Sequence, residues 1–210
     1  MSPSLSDHNA GNRALEVHEA TREDRHHLKD VLARSFWDDP VISWLLPKDD
    51  SRYARARLFF RTDLGYVSRN GKVLTTPDLA GAALWLPPNK WKMPTKEFVR
   101  TAPNFLRAFR AGIPNGLRFN MLIEEIHPRE PHWYLAVLGT DPLRQGRGVG
   151  GALIRTITDR ADRDVVGCYL ESSKPGNVPY YERFGFQVTG EHAVEGGPPI
   201  WGMWRDPQPT

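Results

Sequence analysis

One cysteine, Cys168, stands in 210 residues, so no internal disulfide can form, and the chain reads as a cytoplasmic protein of a reducing compartment. No Cys/His spacing resembles a zinc site. His26 and His27 point to different sides of a helix instead of forming an i, i+4 pair, so no metal is expected. No stretch approaches the roughly 18 apolar residues of a membrane span, and the opening MSPSLSDHNAGNRALE lacks the apolar region of a signal peptide; no membrane partner is expected. Runs of Lys and Arg are missing as well. The balance of 28 basic against 25 acidic residues, net +3, suits an anionic ligand and argues against nucleic acid as a partner. No internal repeat is present, and 18 Gly with 18 Pro fall short of low complexity. A hydrophobic fraction of 40% and a charged fraction of 25% remain, ordinary for a globule whose length fits one domain.

Along the chain, residues 1–13 read as a loose polar tail, followed by a strand in ALEVHEAT. Leu28, Val31, Leu32 and Phe36 recur at helical spacing behind Thr21 as N-cap, until Asp39-Pro40 interrupts. VISWLLP is a short apolar segment closed by Pro47, and Ser51 to Val67 is helical again. GKVLTT and GAALWLPP predict a hairpin. Between Pro94 and His127 a helical stretch is expected to break at Pro103 and Pro114, with Arg100, Arg107 and Arg110 on a solvated face. HWYLAVLG predicts a strand buried on both faces, then a helix starting near Gly148, a strand in VVGCYLES, a short helix in NVPYYERFG, and closing strands in FQVTGEHAV and PIWGMWR.

The chemistry concentrates in TDPLRQGRGVGGALI, where four glycines lie between a strand and a helix. Unpaired N–H groups at a helix N-terminus point outward, and glycines without Cβ let phosphate oxygens approach the backbone, so a phosphate-bearing ligand is expected. Gly146, Gly148 and Gly151 spell G-x-G-x-x-G, the dinucleotide pattern, and Glu171 stands 20 residues beyond, where a ribose-binding acid belongs. Against that reading, only 59 residues follow Gly151, and Asp141 to Gln145 intervene before the first glycine, where a dinucleotide turn would be tight.

Taken together, RQGRGVGGAL and NVPYYERFGF resemble the GCN5-related N-acetyltransferase (GNAT) superfamily, whose phosphate loop is written Q/R-x-x-G-x-G/A; Gln145, Gly148 and Gly150 match it. HPREPHWYLAVLGTDP, YLESSKPGNVPYYERFGF and FWDDPVISWLLP are similar to the puromycin N-acetyltransferase branch. The resemblance implies an α/β fold, a single GNAT-type domain over residues 14–206 with a mixed central sheet and helices on both faces. It implies acetyl-coenzyme A (acetyl-CoA) as cosubstrate. Its pyrophosphate would lie on the main chain of Gln145, Gly146, Arg147, Gly148, Val149, Gly150 and Gly151, with Arg144, Arg147 or Lys174 near the ribose phosphate. The pantetheine arm would lie along Leu138, Gly139 and Thr140, where a main-chain N–H of Leu138 or Gly139 would face the developing oxyanion. Asn177 and Tyr181 match N-x-x-x-Y, which implies Tyr181 as the acid that protonates the departing thiolate.

The glutamate that many members carry on the strand before the loop is missing from YLAVLGT, leaving Glu171, Glu124, Glu125 or His127 as candidate bases. Cys168 alternates onto the face of Val166 and Leu170 and reads as packing, so direct transfer is expected. Phe36, Trp37, Trp44, Tyr53, Trp85 and Trp91 with Asp38 and Asp39 sketch an acceptor pocket for a small, partly aromatic amine, with antibiotic resistance as a conceivable role. The alternatives are a CoA-binding module without chemistry and a protein or peptide N-acetyltransferase. Replacing Gly148 or Gly150 by a bulky residue is expected to weaken acetyl-CoA binding sharply in calorimetry; tight NADH binding without acetyl-CoA binding would favour the dinucleotide reading instead.

Overall fold

The computed structural model describes residues 15–46 and 48–209. The tail expected over residues 1–13 and the stop at Pro47 lie outside them. The first strand is short, β1 (His18–Glu19), and Thr21 then caps α1 (Arg22–Ser35). Thr21 Oγ1 accepts the Asp24 N–H at 3.1 Å while the Asp24 carboxylate accepts the Thr21 N–H at 2.8 Å, a reciprocal cap worth about 1 kcal/mol. Leu28, Val31 and Leu32 follow at helical spacing and are buried.

Asp39-Pro40 does end the segment that contains α1, but by starting another helix. Pro40 opens α2 (Pro40–Leu45), and Asp39 Oδ1 accepts the Ile42 N–H at 2.9 Å. Proline suits a first helical turn because its missing N–H would be unpaired there anyway. Next come α3 (Arg52–Asn70), β2 (Lys72–Thr75) and β3 (Gly81–Leu86). The helical stretch beyond them breaks at one of the two expected places: α4 (Thr95–Phe109) runs through Pro103, and the interruption falls at Arg110–Gly112, just ahead of Pro114, where Arg110 takes a left-handed φ of 49°. Pro114 lies in the first turn of α5 (Ile113–Ile126), where it is tolerated. Of the three arginines on that stretch, Arg100 pairs with Glu97 and Arg110 with Asp49.

The second half alternates as β4 (His132–Thr140), α6 (Val149–Arg163), β5 (Gly167–Ser172), α7 (Val178–Glu182), β6 (Gln187–His192) and β7 (Ile200–Arg205). All seven strands form one mixed sheet in the order β1-β2-β3-β4-β5-β7-β6, in which β4 and β5 are the parallel pair. Side chains of β3 show why both faces are covered. Ala82, Leu84 and Leu86 enter the core under α1 and α3, while Ala83 and Trp85 enter the core under α6. In β4 the apolar run is buried only in its first half; Ala136, Val137 and Leu138 are half-buried, because nothing from β5 covers them.

The last strand is fastened to α6 by a two-pronged ion pair. Arg205 Nη1 and Nη2 reach the two Asp162 carboxylate oxygens at 2.6 and 2.7 Å, and Arg205 Nε donates to Phe184 O at 2.7 Å. Hydrogen bonding to Arg205 holds the Asp162 carboxyl below its ordinary range, so folding is favoured by this group above the unfolded value of about 4 and the contribution disappears as pH falls through the lower folded value. Asp162→Asn is expected to cost about 2 kcal/mol at neutral pH and to lose less melting temperature than the wild type between about pH 6 and about pH 3, which thermal melts at the two pH values check.

Candidate active site

The parallel ladder between β4 and β5 ends at the pair Leu135–Leu170, and at the same level β4 bulges. Leu84 faces Val137 and Trp85 faces Leu135, which leaves Ala136 as the extra residue. A bulge bends its strand and adds twist, so beyond Ala136 β4 follows β3 and leaves β5. The gap opens into a cavity of about 1010 Å³ bordered by the ends of both strands, the start of α6, α7 and the Phe36–Asp39 loop.

Amide directions along β4 follow from one bond. Asp141 N–H donates to Ala80 O at 2.8 Å, toward β3. Successive amides of a strand point to opposite edges, so the Gly139 N–H also faces β3 while the Leu138 and Thr140 N–H groups face the gap. Of the two amides expected near an oxyanion, Leu138 is thus the one on the open edge. The side chain of Gln145 is turned inward, its Nε2 donating to Thr140 O at 3.4 Å. Gly139 serves packing: a Cβ there would lie 2.7 Å from Leu32 and 2.9 Å from Ser35 of α1.

The four glycines divide into two kinds. Gly146 and Gly148 take left-handed φ values of 76° and 81°, with Arg147 between them, and Gly148 caps α6. The first intrahelical bond is Ala152 N–H to Gly148 O, leaving the N–H groups of Val149, Gly150 and Gly151 for a ligand. Such a turn with a free helix N-terminus is a built anion cradle. Gly150 and Gly151 instead admit aromatic rings, since a Cβ at Gly150 would lie 2.5 Å from the Tyr180 hydroxyl and one at Gly151 would lie 3.1 Å from Phe184. Around the mouth, Arg144 pairs with Asp78 at 2.9 Å and Lys174 with Asp38 at 2.8 Å, while Arg147 is exposed.

The remaining expected residues converge on the same cavity. Tyr181 is buried, and its phenol is pushed above its usual range by burial, then by Tyr180 and Asp39. Asn177 closes a short 3-10 turn over Pro175–Asn177; it precedes α7 without making a side-chain cap and borders the cavity. Glu171, on the free end of β5, also borders it and accepts the Tyr134 hydroxyl at 2.8 Å. Asp39 is buried, taking the Ser173 hydroxyl on the oxygen not used by Ile42. Cys168 is fully buried in β5, with its thiol pushed up to about 12 by burial, so it packs and holds its proton. Of the aromatics, Phe36 and Trp37 line the cavity, Trp85 is core, and Trp91 stacks on His127 at 3.8 Å.

Residues 30–186 match the model of the acetyltransferase (GNAT) family. The chain belongs to that family. It is 30% identical over 173 residues to an uncharacterized N-acetyltransferase of Schizosaccharomyces pombe, covering 74% of this chain and 68% of the yeast protein. A Corynebacterium glutamicum structure described as histone acetyltransferase HPA2 and related acetyltransferase aligns with a TM-score of 0.74 at 26% identity, over 94% of this chain and 99% of that one. Arylalkylamine N-acetyltransferase 2 of Aedes aegypti shares the fold with a TM-score of 0.58 at 14% identity, over 93% of this chain and all of that one.

GNAT enzymes use acetyl-CoA, and the residues present fit it: a left-handed glycine turn and free helix amides for a pyrophosphate, an open strand edge for an amide-bearing arm, and cations at the mouth. Sequence reasoning missed two of those cations. Arg155 lies one turn beyond Gly151 on the same face of α6, 5.5 Å over the Phe184 ring, and Arg183 sits over Tyr180; both border the cavity. The i, i+4 spacing from Gly151 was the available signal for Arg155. Arg155→Gln is expected to raise the Kd for acetyl-CoA about tenfold and to flatten its salt dependence, with turnover at saturation little changed; titration calorimetry at two ionic strengths checks it.

Proposed function

We propose that this acetyltransferase moves acetyl from acetyl-CoA directly to the primary amine of a small, partly aromatic acceptor. The observation that carries the reading is that Tyr181, Glu171 and the free Leu138 N–H border one gap between parting strands. Bound acetyl-CoA would supply an activated acyl group on a thiol leaving group. The Leu138 N–H would donate to the acyl oxygen as it takes negative charge. Tyr181, kept protonated by burial, would return a proton to sulfur. Glu171 would take a proton from the amine.

An amine of a flat body suits Phe36 and Trp37 on the cavity wall, and the similarity of three sequence segments to puromycin N-acetyltransferases supports an aminonucleoside-like acceptor and a resistance role. The name of the Corynebacterium relative favours a second reading, a lysine side chain of a protein. Puromycin, arylalkylamines, aminoglycosides and lysine-bearing peptides assayed side by side for thiol release separate the readings: acetylation of peptides alone overturns the small acceptor, and no release with any amine leaves a CoA-binding module. Tyr181→Phe is expected to lower kcat by about 100-fold with acetyl-CoA affinity nearly unchanged, whereas Cys168→Ala retains activity.

A further inference from the structure

Behind Glu171 lies a buried set of groups that the transfer chemistry leaves unused. His127 ends α5, its N–H bonded to Ile123 O, and His132 begins β4. The intervening PREP segment, with Pro128 and Pro131, turns the chain so that the two rings meet: His127 Nε2 lies 3.0 Å from His132 Nε2. His132 Nδ1 is 2.6 Å from Glu130 O.

Those contacts determine where the hydrogens are. A carbonyl oxygen only accepts, so His132 carries its proton on Nδ1 and presents a bare Nε2. His127 must then donate from Nε2, and in its neutral form its Nδ1 is bare. That nitrogen faces Glu171 Oε1 at 3.5 Å, and these two buried atoms are both without a hydrogen bond. Two acceptors set against each other in a dry place lack one shared proton. The other Glu171 oxygen already accepts from Tyr134.

We infer that Glu171 and His127 form a single proton-accepting dyad for the acceptor amine, with His132 as the positioning residue that fixes its tautomer. The inference rests on the acetyl-transfer reading above. An ammonium loses two protons on becoming an amide: one ends on the departing sulfur. The other leaves as an N–H bond breaks, the electron pair staying on nitrogen as the nucleophile and the proton passing to the Glu171 carboxylate, which settles it on the inner side between Oε1 and His127 Nδ1. Loading adds one proton to the dyad, which discharges to solvent through the cavity when product leaves.

The surroundings agree with this role. Trp91 stacks on His127 and the C-terminus of α5 lies beside it, which holds the ring in place. Burial brings His132 down to about 4, so it stays neutral and does not drain the proton away. The other titratable groups facing the pair are Tyr134 and Tyr169, both held protonated by burial and by Glu171, and Asp63 of α3 beyond Tyr134, pushed up to about 7 by burial.

The test combines kinetics with a measurement that needs no turnover. His127→Asn turns a donor toward Glu171; it is expected to lower kcat about 100-fold and to change the acidic limb of the kcat/KM profile, with the KM for acetyl-CoA unchanged. His132→Asn is expected to lower kcat by a smaller factor, about tenfold, with the same change in profile. Nitrogen-15 spectra of histidine-labelled wild type are expected to report Nδ1–H at His132 and Nε2–H at His127. Unchanged kcat and pH profile in folded His127→Asn, or the opposite tautomer at either ring, overturns the dyad. A wild type that acetylates no amine counts against the acetyl-transfer reading, while the tautomers still decide the arrangement of the dyad.

Discussion

Everything at the site depends on two neighbouring strands that stop pairing. Hydrogen bonds between β4 and β5 last through Leu135 and Leu170, and the extra residue Ala136 then bends β4 toward β3. A closed sheet would use the Leu138 amide in its ladder and cut Glu171 off from the cavity it borders. With the strands apart, one edge offers unpaired amides and the facing edge offers a carboxylate. Unpaired groups of this kind, which most folds avoid, are tolerated here because they face an open cavity.

The cavity carries charge of both signs. Arg155, Arg183 and the free amides of α6 put positive charge on its border, and Glu171 puts a carboxylate there, while Asp38 is offset by Lys174. Most buried polar atoms of this region are satisfied: Asp39 by Ile42 and Ser173, Tyr134 by Glu171, His132 by Glu130. The exception, a nitrogen of His127 facing an oxygen of Glu171, stands out against that background.

Local features were legible in the sequence where local physics sets them. Gly146 and Gly148 follow from left-handed backbone, Thr21 from the cap, and the alternation of strands and helices after His132 from side-chain period. Asp39-Pro40 reads equally as a helix stop or a helix start, because proline ends one and begins the next. Pro103 misled for a related reason: α4 runs past it, and the break comes at Arg110–Gly112, where Gly112 and the following Pro114 mark the start of α5. The bulge at Ala136 lies inside a plain apolar run that carries no mark of it. The pairing of His127 with Glu171 joins positions 44 residues apart and depends on where two elements end, which no short window contains.

Two short bonds across the cavity have a consequence for synthesis. Asp39 meets Ser173 and Asp38 meets Lys174, contacts that span 134 and 136 residues of chain. The Phe36–Asp39 loop is held early by Phe60, Tyr53 and Arg52, but it gains these two contacts only once residues 173 and 174 have been made. A chain arrested earlier has its first helices and hairpin but no second wall, no α7 and no Tyr181. Such fragments lack the cavity's second side, so the cavity closes only after the chain has passed α7.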